Sequence, residues 1–346
     1  MNVILPRSPR NQLHRLVVSS LSLLALACPW AANAEMPSFQ EVYDLVRSNL
    51  AGASEATVNQ SAVRGLLQQF PGRVLLVTNT PPAGVATNEP ALASVRTFER
   101  AFGYVRVARV EPGLAGAIGA ELARWSSSNH FDGLVLDLRF ARGEDFAEAA
   151  RVADLLVTEA RPLIDWGQGV VSATAKTNAV PGAVAVLVNG RTAGAAEAIA
   201  AALRQAETAI LIGSHTAGEA AIFKEFPLTT GDRLRVATGA VRVGDGLALS
   251  PEGVTPDIGV EVGVADEMAY LADPYRSVGL AGTNRVGRLT EAGLVKMRRE
   301  GLDPDTAPVP VQATHLPVGP WVTDPVLARA LDLLTGLAVV QPSRRH

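Results

Sequence analysis

Cysteine is nearly absent. Cys28 is the single thiol among 346 residues, so no intrachain disulfide can form, and a chain trimmed beyond it has no thiol nucleophile either. Histidine is also scarce, and His130 and His315 stand alone, with no second histidine or cysteine at a ligand spacing. Neither a metal site nor a cofactor site is expected. No cluster of lysine and arginine offers a surface that tracks phosphates, which argues against a nucleic-acid partner. Charged residues make up 19% of the chain and hydrophobic residues 48%, a composition that buries a sizeable core and excludes general disorder.

The N-terminus carries Arg7, Arg10, His14 and Arg15, then an apolar run from Leu16 to Cys28, then the small residues Ala31, Ala32, Asn33 and Ala34. That order is the pattern of a signal peptide. The run is 13 residues, shorter than the ~20 that a helix needs to cross the hydrocarbon core. Cleavage after Ala34 is therefore expected, leaving no integral membrane segment. Ala25, Leu26 and Ala27 before Cys28 lack the leucine three positions ahead of the cysteine that lipid attachment favours, so a lipoprotein anchor is the lesser alternative. Loss of Arg7, Arg10 and Arg15, with no acid among the removed residues, takes the formal charge from −3 to −6.

In the remaining chain, Ser38 and Glu41 form a capping box ahead of Phe39, Val42, Leu45, Val46 and Leu50 at helical spacing, and 59–70 is a second amphipathic stretch. Together they predict a helical hairpin, followed by a Pro/Gly loop over 80–92. From Gly103 strands and helices alternate: strands over 103–110, 133–138, 184–188, 210–213, 222–228 and 234–243, with helices over 114–127, 146–157 and 195–205 between them. This is the rhythm of a layered α/β domain. Further helices are expected near 289–299 and over 326–337, the latter capped by Asp324 with Pro325 in its first turn. The expected domains are a signal peptide 1–34, a helical region with loop 35–100, an α/β core 101–265 and a C-terminal extension 266–346.

Strand 184–188 and the helix from Ala195 place Thr192, Ala193 and Gly194 at a helix N-terminus, where unpaired N–H groups favour negative charge. A nucleophile there would sit beside donors for a tetrahedral oxyanion. The run PGAVAVLVNGRTAGAAEAIAAAL (181–203) resembles the nucleophile segment of the C-terminal processing peptidases, the tail-specific proteases, whose turn has the form S-A-S-A-S-E. Here Thr192, Ala193, Gly194, Ala195, Ala196 and Glu197 fall on that motif without a gap. AILIGSHTAG (209–218), Phe226-Pro227-Leu228, GLVLDLR (133–139) and Gly253-Val254-Thr255-Pro256-Asp257 are similar to the family's flanking motifs in the same register. The resemblance implies a crotonase/Clp-protease-like α/β core with the helical hairpin and the C-terminal helix beside it. It also implies an oxyanion loop at Gly143 and Ala195, with Glu144 in place of a second glycine.

The resemblance also shows what is missing. About 30 residues separate Phe70 from Gly103, too few for the family's PDZ module of roughly 80 or more. In the family the middle serine of the motif attacks the peptide carbonyl, and a lysine 25 positions later takes its proton; here those positions hold Gly194 and Glu219. A supporting glutamine would fall at Phe223. Glycine has no side chain to acylate, and a carboxylate beside an oxyanion hole repels the charge that develops there. The resemblance therefore implies a pseudopeptidase with a peptide- or protein-binding role. Two alternatives stand: an active hydrolase with a rearranged site built on Thr192 or Glu219, and an envelope assembly partner of an active paralogue.

Several tempting groups have plainer readings. Thr192 and Lys224 as a relocated dyad yield to Thr192 as a helix cap and Lys224 as a solvated strand residue on the face opposite Phe223. Ser214 and His215, as sequence neighbours, seldom face each other. Asp137 and Arg139 read as a structural ion pair, and Glu197 as an acid serving the first turn of its helix. The ligand and the oligomeric state are not legible. Mass spectrometry of the exported protein, periplasmic or secreted, is expected to find Glu35 as the first residue; a diacylated Cys28 would show the other signal class.

Overall fold

The computed structural model describes residues 36–78, 89–127, 131–177, 180–276 and 322–340. The signal segment, Cys28, His130, His315 and the helix expected near 289–299 lie outside them. In chain order the elements are α1 (Phe39–Asn49), α2 (Glu55–Gln69), β1 (Val74–Val77), β2 (Leu92–Phe98), β3 (Phe102–Val107), β4 (Arg109–Val110), α3 (Leu114–Ser126), β5 (Gly133–Asp137), β6 (Arg142–Gly143), α4 (Phe146–Leu156), β7 (Pro162–Asp165), β8 (Val170–Ser172), β9 (Ala183–Val188), α5 (Ala195–Gln205), β10 (Ala209–Gly213), β11 (Ala221–Pro227), β12 (Arg233–Ala240), β13 (Arg242–Val243), β14 (Leu247–Ala248), β15 (Ile258–Gly259), α6 (Val264–Ala272) and α7 (Pro325–Val340).

The chain divides into two compact units at Arg64/Gly65. In the first, the Ser38 side chain accepts the Glu41 N–H at 3.2 Å and starts α1, the N-cap half of the expected capping box. Phe39 and Tyr43 stack with ring centroids 5.8 Å apart. Arg47 pairs with Glu55 at 3.0 Å across the turn to α2.

The second unit is organised by a six-stranded sheet in the order β15-β10-β9-β5-β3-β2, parallel except where β2 meets β3. Strands β5 (GLVLD) and β9 (AVAVLV) are continuously apolar but for the terminal acid because both faces are covered. Successive side chains part to opposite faces. Leu134, Leu136, Val184, Val186 and Val188 join α3, α4 and α5 in one core. Val135, Ala185 and Leu187 join Leu327, Leu331 and Leu334 of α7 in the other. A three-stranded antiparallel sheet, β1-β12-β11, and a four-stranded one, β14-β13-β7-β8, complete the unit. This is the layered α/β core that the alternating pattern predicts.

The stretch 35–100, expected to hold only helices and a loop, also supplies β1 and β2. The VLLV of β1 is too short to announce a strand by alternation, and β2 interleaves Ser94, Arg96 and Thr97 because it is an edge strand with one side to solvent. The β7–β8 hairpin and α6 were likewise not legible; α6 starts at Gly263 with no side-chain cap.

One buried ion cluster attaches α7 to the sheet. Arg139 is only 1% exposed, yet its guanidinium meets Asp137 Oδ2 at 2.7 Å and grips Asp324 at 3.1 and 2.7 Å. Asp324 in turn caps α7, accepting the N–H groups of Val326 and Leu327 at 3.1 and 3.3 Å. Tyr104 donates its hydroxyl to Asp137 at 2.8 Å. Burial opposes the Arg139 charge, but Asp137 and Asp324 outweigh it and hold the guanidinium pKa well above its ordinary value. For the Tyr104 hydroxyl, burial itself and the like charge of Asp137 both push the pKa well above its ordinary value. Removing one partner of such a cluster leaves a buried charge poorly compensated, so Asp324→Ala is expected to destabilise the protein by about 3–5 kcal/mol. Asp324→Asn, which keeps the cap, should cost less. Urea unfolding measures both, and a loss below about 1 kcal/mol for Asp324→Ala would place the cluster among the weak, water-exposed pairs.

Candidate functional site

The site begins where β9 ends. Asn189 organises the turn: its Oδ1 accepts the N–H groups of Phe140 and Arg191 at 3.1 and 3.0 Å, and its Nδ2 donates to Glu267 Oε2 of α6 at 2.8 Å. Burial raises the Glu267 pKa, which the Asn189 hydrogen bond opposes. Thr192 is 0% exposed. Its hydroxyl accepts the Asn189 N–H at 3.0 Å and donates to the Leu138 carbonyl at 2.8 Å, so it straps the turn to the end of β5 and faces no solvent.

Gly194 follows at the N-cap of α5 with φ +62° and ψ −121°, a left-handed backbone that side-chain-bearing residues adopt only under strain. A Cβ built there would stand 2.3 Å from the carbonyl oxygen of Gly143, so no side chain fits while that carbonyl keeps its aim. Gly143 is held in turn by the parallel pairing of β6 with β4. Ala195 is fully buried at the first position of α5.

The acid of the α5 first turn does more than cap its helix. Glu197, 1% exposed, accepts the Gly194 N–H at 3.0 Å, the Thr216 hydroxyl at 2.5 Å, and the N–H groups of Gly218 and Glu219 at 2.7 Å each. One carboxylate thereby ties together the two positions that the resemblance assigns to serine and lysine. Charge-assisted hydrogen bonds of this kind contribute about 1.5–3 kcal/mol each. The sequence signal was an isolated acid in the first turn of an alanine-rich helix.

Gly143, Gly194, Glu219 and Phe223 line one cleft of about 530 Å³, walled also by Leu75 and Trp166. Glu219 is 35% exposed and lies 3.7 Å from Arg142. The Arg235 guanidinium stacks over the Phe223 ring at 4.3 Å and pairs with Glu144. Two ion pairs thus span the cleft, from the loop after β5 to Glu219 and to β12. Neither was read from the sequence, because the partners are far apart along the chain. Lys224 is exposed and does not line the cleft, so it does not meet Thr192. Among the described residues, His215 Nδ1 lies 3.5 Å from Thr255 Oγ1 and the Ser214 N–H donates to the Val188 carbonyl, with no bond between the two side chains.

A layered α/β core in which a small-residue turn at a helix N-terminus opens on a cleft is an arrangement that many α/β folds share, so the site alone does not define a class. Residues 101–260 match the family model described as Peptidase family S41, so the core of this chain is similar to that family. The chain is 31% identical over 160 residues to the C-terminal processing peptidase, chloroplastic, of Tetradesmus obliquus, covering 45% of this chain and 34% of that one. It is 32% identical over 136 residues to the carboxy-terminal-processing protease of Bartonella bacilliformis, covering 37% and 31%. The chain therefore spans about a third of the length of these relatives. A solved structure with a peptidase designation from Parabacteroides merdae superposes with a TM-score of 0.51 at 16% identity over 69% of this chain and 87% of that one, a likeness of fold.

The backbone at 194 generates a test. Gly194→Ser is expected to destabilise the protein by about 1–3 kcal/mol, from strain and the encounter with the Gly143 carbonyl, and to confer no hydrolytic activity. Chemical denaturation and turnover of denatured casein measure the two effects. A variant as stable as the parent would mean that the 142–144 loop moves aside at no cost.

Proposed function

We propose that this protein is an exported, tail-specific-protease-like pseudopeptidase that has lost the hydrolytic step and retains its cleft to bind a peptide or protein segment. The observation that carries this reading is Gly194. The position matched to the family's nucleophile has no side chain, and the Gly143 carbonyl is aimed at the place a side chain would occupy. The position matched to the base carries Glu219 paired with Arg142, where a proton acceptor of the family's kind would be a neutral amine. Phe223, matched to the supporting glutamine, is covered by Arg235 and offers only its ring.

The relatives are named for processing carboxy termini, so an extended chain segment is the ligand class that the retained cleft would receive. Among the described residues no helix is long and apolar enough to cross a membrane. Together with the signal pattern at the N-terminus, this favours a periplasmic or secreted location. No cofactor or metal enters the proposal. Glu219 keeps the rearranged-hydrolase reading as the runner-up, because its carboxylate faces the cleft within reach of water. Thr192 is disfavoured by its burial. A role beside an active paralogue needs no chemistry from either residue.

The test is incubation of the purified mature protein with fluorescent denatured casein and with a serine-reactive phosphonate. The expected result is retention of casein on the immobilised protein with no cleavage and no label. Cleavage that survives Thr192→Ala would overturn the inactive reading, and its loss in Glu219→Gln would assign the reaction to a water activated by Glu219. Absence of both cleavage and retention would overturn the binding reading.

A further inference from the structure

Strand β11 ends its sheet. Its one neighbour is β12, and among the described residues no strand pairs with its other edge. Which backbone groups that edge displays follows from the register. In an antiparallel pair, opposed residues alternate between those that exchange hydrogen bonds and those whose N–H and C=O both point outward. Leu228 donates its N–H to the Asp232 carbonyl at 2.8 Å, which sets the hydrogen-bonded parity, and Lys224↔Val236 and Phe226↔Leu234 follow it. Phe223↔Ala237 and Glu225↔Arg235 therefore point outward. On the β12 side this is visible: the Ala237 N–H donates to the Arg73 carbonyl at 2.8 Å, toward β1. On the β11 side the corresponding groups of Phe223 and Glu225 face the open edge.

That edge borders the cleft already described. Phe223 and Ile222 line the cleft, and Gly167 of the β7–β8 turn lies close enough to Ile222 that an added Cβ would sit 3.3 Å from its Cδ1. Trp166 and Gln168 stand beside it as a wall. Pro227 has no N–H, so the displayed donors toward the end of β11 stop at Glu225, a device that limits how far an exposed strand recruits sheet.

Resting on the binding role proposed above, we propose that β11 is the docking strand of the cleft. An extended segment of a partner protein adds to its free edge through the backbone N–H and C=O groups of Phe223 and Glu225, with alternate apolar side chains turned toward the face that carries the Phe223 ring. Backbone pairing gives affinity without sequence demand, and the period-two apolar contacts give selectivity.

The probe is a fluorescein-labelled ten-residue peptide in which valine alternates with threonine and lysine, read by anisotropy. Glu225→Pro removes one displayed N–H without removing a ladder bond and should weaken binding at least tenfold at an unchanged unfolding midpoint. Glu225→Ala removes the side chain and its 3.0 Å pair with Arg233 but keeps the N–H, and should bind as the parent does. If Glu225→Pro does not fold, the same peptide N-methylated on alternate residues decides: one register should lose binding and the other keep it. Equal binding by parent and Glu225→Pro, or equal loss in both N-methyl registers, overturns edge docking while the peptide-binding reading stands. No binding by the parent also overturns it, and the binding reading falls as well if casein is not retained. Self-association that Glu225→Pro abolishes assigns the edge to a second copy of this chain and overturns the proposal.

Discussion

The buried carboxylate of Glu197 is the constraint on which the site depends. It rises from the first turn of α5 and takes four donors, from Gly194, Thr216, Gly218 and Glu219. An uncompensated carboxylate in such a place would be costly, and these donors are what make its burial tolerable. They also make the geometry stiff. The turn before α5 and the turn before β11 cannot drift apart without unsatisfying a buried charge. Thr216 extends the link, since its hydroxyl accepts the Val254 N–H at 2.7 Å and so ties in the segment ahead of β15.

This strut holds the turns on either side of the cleft in place. The scaffolding of an oxyanion site lies in backbone groups at a helix N-terminus and in the turns that face it, and neither needs the reacting side chains to be present. Charged side chains set the electrostatics of the opening. Arg142 with Glu219 and Arg235 with Glu144 bridge it, both with partly exposed members, so each contributes little to stability while setting the separation of the walls. The Gly143 carbonyl turned toward Gly194 presents a negative dipole where acyl transfer would require donors.

Behind the cleft, rigidity comes from a sheet covered on both faces. Strand β9 delivers the turn at Asn189 from between β5 and β10, with Val188 fully buried. Asn189 binds Phe140 after β5, Arg191 within its own turn and Glu267 on α6, so three segments converge on one side-chain amide. The Arg139 cluster adds α7 to the opposite face. Ion pair, helix cap and tyrosine hydroxyl form one satisfied network, the condition under which buried polar groups specify an arrangement.

Much of this was determined by the sequence alone, because it is written in local periodicity and contiguous motifs. The apolar runs of β5 and β9, the capping residues Ser38 and Asp324, and the small-residue turn at 192–197 act over a few neighbours, so a short window of sequence contains each of them. The short and edge strands β1 and β2, the β7–β8 hairpin and α6 escaped because brief or half-solvated segments carry little pattern. Only the tertiary structure decided that Glu197 spans two turns, that Arg139 reaches Asp324, that the Gly143 carbonyl obstructs position 194 and that one edge of β11 is left open. Those are relations between residues distant along the chain, set by how strands register and helices pack, and no local window of sequence contains both partners.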